Sequence, residues 1–123
     1  MLEIIAPLHK QFANTALYFA LALAVWGAWN YFRGKGVSGN YFGALVVGEL
    51  LMIAQDVLGV LQFASGPAPR DPVHFLYGLL NIIAWPGVYA YTGGKMERRE
   101  QGLYAVVSFF LFGVSLRAIM TGR

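Results

Sequence analysis

His9 and His74 are the only imidazoles in the chain, and each stands two residues after a proline, in Pro7-Leu8-His9 and Pro72-Val73-His74. Histidines at one depth on the first and third helices of a bundle can ligate a single haem iron from both faces. Haem propionates need cationic partners near water, and Lys10, Arg70 and Arg117 stand at that end of the chain's apolar runs. The sequence requires no cofactor; the one this pair would take is haem b, with His9 and His74 on the iron and Arg70 and Arg117 on the propionates. The same pair with Asp56 or Asp71 as third ligand would suit a small divalent metal. Without either, both are ordinary wetted side chains at a membrane surface.

A second group consists of polar residues inside apolar runs, where an ionisable group is costly unless paired or wetted. Glu49 and Asp56 are seven residues apart, so two turns of helix put them on one face with Met52 and Ile53. Arg117 is expected at the depth of Asp56, which makes these two an ion pair. Asn81 falls near the middle of its run, within reach of Glu49. As structural contacts, such groups hold helices together where lipid supplies no hydrophobic drive. As a functional set, Glu49 would mark a proton or ion path.

The segment Pro69–Gly78, PRDPVHFLYG, sits between two apolar runs. Pro72 suits the first turn of a helix, since it lacks the N–H that a helix interior needs. Asp71 before it is placed to cap the free N–H groups of that turn. Arg70 offers a planar, permanently charged fork for carboxylates or phosphates.

The elements that must carry these residues are membrane helices. Of 123 residues, 58% are hydrophobic and 12% charged, and the mean hydropathy is +0.56, which is too apolar for a soluble domain of this size. The chain has no cysteine, which excludes disulfides, thiolate metal sites and CxxC redox chemistry. A formal charge of +3 suits anionic headgroups and needs no nucleic acid. No basic leader precedes the first apolar run, so no cleaved signal peptide is expected.

Four runs, at about 9–32, 41–63, 72–91 and 102–120, are long enough to cross a hydrocarbon layer of roughly 30 Å. The fold expectation is all-α: one domain over 1–123, an integral membrane up-and-down bundle of four transmembrane helices. Trp26, Trp29 and Tyr31 close the first run as an aromatic anchor. Pro86 is expected to kink the third. The turns at Arg33–Asn40 and Thr92–Gln101 hold Arg33, Lys35, Lys95, Arg98 and Arg99. Positive charge gathers on the cytoplasmic side, so both termini and the Pro69–Gly78 segment are expected outside the cell membrane. The two Pro-x-His starts also form a faint repeat between the first and third spans.

With its closing stretch SLRAIMTG, Ser115–Gly122, the PRDPVHFLYG segment resembles small four-helix bacterial membrane proteins. That resemblance covers most of the chain at the level of motifs; it implies the four-span bundle and carries no activity. There is no phosphate-binding glycine loop, nucleophile elbow or hydrolytic triad, so no catalysis by the chain alone is expected. The functional expectation is an accessory subunit of a larger bioenergetic or electron-transfer membrane complex. Its partners would be lipid and other membrane subunits, met through small residues such as Gly43, Ala44, Gly48, Gly102 and Ala105. The alternative is a b-type cytochrome-like protein with a bis-histidine haem near the outer surface. A further alternative is a small ion or proton transporter using Glu49.

Overall fold

A computed structural model describes residues 2–66 and 72–122, and these form four helices. They are α1 (Leu2–Phe32), α2 (Gly39–Ser65), α3 (Val73–Thr92) and α4 (Arg98–Thr121). Each is long and apolar enough to cross a membrane. Short connections make neighbours antiparallel. The helices pack as a ring, α1 on α2, α2 on α3, α3 on α4 and α4 on α1, with the tightest seam between α1 and α4 and the loosest between α2 and α3. The pairs α1/α3 and α2/α4 face each other across the diagonals.

Two helix starts differ from the sequence-based expectation. The apolar lead before Pro7 is already helical, so Pro7 lies inside α1 instead of opening it. Its missing N–H falls so near the helix start that only one intrahelical bond is forgone. At the other end of the chain, the last residues of the charged turn belong to α4. Glu97 and Glu100 form a reciprocal capping box, with the Glu97 N–H donating to Glu100 Oε1 at 3.1 Å. That box starts the helix at Arg98, before the apolar run begins. In α2, Ser38 accepts from the Tyr41 N–H at 3.1 Å as N-cap. α3 runs through Pro86 to Gly93, where φ is +65° and the left-handed conformation ends it. Pro72 is its N-cap without a side-chain bond. Asp71, the expected cap, and Arg70 lie outside the described residues.

The two basic turns meet. The Val37 N–H donates to the Met96 carbonyl at 2.8 Å. Arg98 donates through Nε to the Tyr31 carbonyl at 2.8 Å, and its guanidinium lies 4.0 Å from the Tyr31 ring centroid. A cation there satisfies carbonyls at the negative end of α1.

The ring is apolar outside, and inside it buries polar groups among an apolar core. Val46, Val60, Val106 and Phe110 are exposed on the outer faces. Positions seven apart face the interior: Ala16, Leu23 and Asn30 on α1, Gly48 and Gln55 on α2, Gln101, Ser108 and Ser115 on α4, all buried. Two helical turns bring each set back to one side of its helix. Near one end, Asn30 Nδ2 donates to Gln101 Oε1 at 3.3 Å and Tyr41 Oη to the Leu23 carbonyl at 2.9 Å. At mid-height, Trp85 Nε1 donates to Ser108 Oγ at 3.1 Å. Met52 and Leu111 are fully buried beside them. Gly48 packs against Trp85 and Phe19, and Gly102 against the Tyr31 ring. Those two small residues therefore serve the bundle's own contacts, whereas Gly43 faces open space.

Candidate functional site

At the end of the bundle opposite the basic turns, the interior opens into a cavity of about 630 Å³. All four helices contribute: His9 and Lys10 from α1, Gln55, Asp56 and Gln62 from α2, His74, Gly78 and Asn81 from α3, Ser115 and Gly122 from α4. Small side chains, Ala6, Ala13, Ala16 and Ala118, keep it open.

The two histidines meet across the α1/α3 diagonal, with ring centroids 6.2 Å apart and ring planes at 82°. Each imidazole lies in a notch left by a glycine on a neighbouring helix. A Cβ on Gly59 would stand 3.1 Å from His9 Cε1, and one on Gly122 would stand 2.7 Å from His74 Cε1. His74 Nδ1 is 3.3 Å from Thr121 Oγ1, and that hydroxyl donates in turn to the Ala118 carbonyl at 3.3 Å. With its proton on Nδ1, His74 would donate to that hydroxyl and keep the Nε2 lone pair free. His9 Nδ1, by contrast, is buried with no partner.

The fold thus brings two imidazoles and one cation, Lys10, to a cavity whose lining also carries Asn14, Gln55, Asp56, Gln62, Asn81 and Ser115.

Several expected partnerships are absent. Asp56 and Arg117 stand on diagonal helices, Arg117 is exposed, and no ion pair joins them among the described residues. Matching depth along two helices does not imply matching faces, and Arg117 points away from the interior. Arg117 is also absent from the cavity lining, so nothing places it beside a propionate there. Glu49 Oε1 and Asn81 Oδ1 are each buried without a partner, so the expected bond between them is not made. Ile53, expected on the Glu49 face, is exposed while Met52 is fully buried, so that face straddles the edge of the interior. No three His, Cys, Asp or Glu residues among those described are grouped to hold a metal, so His9, His74 and Asp56 do not form a divalent site. Arg70 and Asp71 lie outside the described residues.

Gln55, Gln62, Ser115 and Thr121 joined the site only through the fold. Their signal in the sequence was spacing: Gln55 and Gln62, like Ser108 and Ser115, are seven apart in otherwise apolar runs.

The lack of coupling between Asp56 and Arg117 is measurable. Asp56→Asn and Arg117→Ala should change stability independently, with the double variant equal to the sum within about 0.5 kcal/mol. Unfolding of all three variants in detergent checks this, and a coupling well above that figure would put the two charges in contact.

Compared with family models, curated proteins and solved structures, the chain matches none.

Proposed function

We propose that this chain is a multi-pass membrane protein of the b-type cytochrome kind, holding one haem between His9 and His74. The observation that carries this reading is the facing pair of imidazoles, 6.2 Å apart in a cavity lined by small residues. When bound, the haem supplies one-electron chemistry. The chain's own residues do the rest. His74 is aimed by Thr121, Gly59 and Gly122 leave room for the rings, and Lys10 offers a cation for a propionate. Electron transfer to a partner is the role that a bis-histidine haem would give the chain. The accessory-subunit reading gains no specific observation from the four helices, and Glu49, outside this cavity's lining, gains none as a transport residue. Absorption spectroscopy of protein produced with ample haem tests the proposal: a Soret band with sharp low-spin visible bands is expected, and its absence ends the reading.

Orientation belongs to the same proposal. The inner turns carry Arg33, Lys35, Lys95, Arg98 and Arg99, so the termini and the haem end face outward across the cell membrane. Cysteines introduced at Ser38 and Ser65 should label from opposite sides in intact cells, Ser65 from outside. Labelling of Ser38 from outside would reverse the orientation.

A further inference from the structure

Below the histidines the cavity changes character. Of the eight buried polar side-chain atoms without a partner among the described residues, five line this one cavity: His9 Nδ1, Gln55 Oε1, Gln62 Oε1, Asn81 Oδ1 and Ser115 Oγ. Asn81 and Ser115 are 5% and 4% exposed, so solvent outside the bundle does not satisfy them. Asn81 stands two helical turns deeper than His74. Asp56 comes from α2 toward Gly78, which lies between His74 and Asn81 on α3, and a Cβ there would stand 3.3 Å from its Oδ1. No ion pair joins Asp56 to any described residue, and Arg117, the cation expected for it, is exposed across the diagonal.

A carboxylate at membrane depth is costly without a counter-charge, and buried carbonyl and hydroxyl oxygens are costly without a donor or a positive charge. One ligand removes both costs. We propose that the cavity floor is a site for a hard monovalent cation, held by the Asp56 carboxylate and the side-chain oxygens of Gln55, Asn81 and Ser115. Oxygen donors select hard ions, and among the described residues no second carboxylate or imidazole joins the four donors to favour a divalent or transition metal. One negative charge with three neutral oxygens matches a single positive charge. Each amide has an oxygen end and an NH₂ end, and the cation selects the oxygen end. The site rests on the cavity floor and not on the haem above it.

The test uses the full chain in detergent, with unfolding followed through fluorescence of the buried Trp85 and the other tryptophans. Sodium, potassium or lithium chloride is titrated at constant ionic strength against choline chloride, with and without haem. A saturable rise in Tm of about 4 °C or more is expected with at least one alkali ion over choline. Asp56→Asn should lose the rise, and Ser115→Ala, which removes one neutral oxygen, should need at least about 5-fold more salt to reach it. His74→Ala should keep the rise, which separates this site from the haem reading scored by absorbance. Equal Tm in choline and in all three alkali salts would overturn the proposal, as would a full response in Asp56→Asn. If Asp56→Asn does not fold, Ser115→Ala decides: an unchanged salt dependence overturns the site.

Discussion

His74→Ala should abolish the Soret band of haem-supplied preparations, while His9→Ala should leave a weakened band of high-spin character. The asymmetry follows from how each imidazole is held. His74 has its Nδ1 fixed by Thr121 at 3.3 Å and its ring seated against Gly122. His9 Nδ1 has no partner, and its ring packs against Gly59 and His74. If one imidazole alone were to hold the haem, it would be the better-held one, His74. Thr121→Val should keep the band but weaken haem affinity about 10-fold or more, the usual cost of losing the outer partner of a ligating histidine. Helix content by circular dichroism should be unchanged in all three variants, which separates ligand loss from unfolding. An unaltered spectrum in His74→Ala would remove the haem from this site.

The second large effect concerns stability at the other end of the bundle. Gly27 on α1 faces side chains of both α2 and α4. A Cβ there would stand 2.6 Å from Tyr41 Oη, 3.1 Å from Gln101 Nε2 and 3.1 Å from Ala105 Cβ. Tyr41 is wholly buried and committed to the Leu23 carbonyl, so its ring end has nowhere to go. Gly27→Val should therefore cost about 3 kcal/mol, at the upper end for overpacking a filled interior. Gly43→Ala is the matching control, because a Cβ there meets nothing within 4 Å. In a helix that change should be neutral or stabilising by up to about 1 kcal/mol. Thermal unfolding in detergent measures both. Equal behaviour of the two variants would mean that the Tyr41, Gln101 and Ala105 side chains do not fill the space at Gly27.

Much of the architecture was legible in the sequence because it rests on local quantities. Uninterrupted apolar runs set the number of long helices, and Gly- and charge-rich stretches set the turns between them. The common depth expected from the paired Pro-x-His segments rested on a false equivalence, because Pro7 lies inside α1 whereas Pro72 caps α3; the meeting of the two rings is a property of the packed bundle. Helix ends were less legible where side chains decided them. The Glu97–Glu100 box carries α4 back to Arg98 through residues whose charge suggested a turn.

Which residues face one another was decided by the tertiary structure. Depth is a one-dimensional property, whereas contact also needs the rotation of each helix and its place in the ring. Asp56 and Arg117 agree in the first and fail in the second, because α2 and α4 are diagonal and Arg117 lies outside. His9 and His74 are diagonal too, yet both rings turn inward and span the gap where glycines let them. The polar floor of Gln55, Asn81 and Ser115 likewise exists only once four interior faces close around it. In a membrane bundle lipid solvates every apolar side chain equally well, so hydrophobicity alone does not orient a helix. Seven-residue spacing of small and polar side chains does, and the partner each one meets is fixed only when the helices pack.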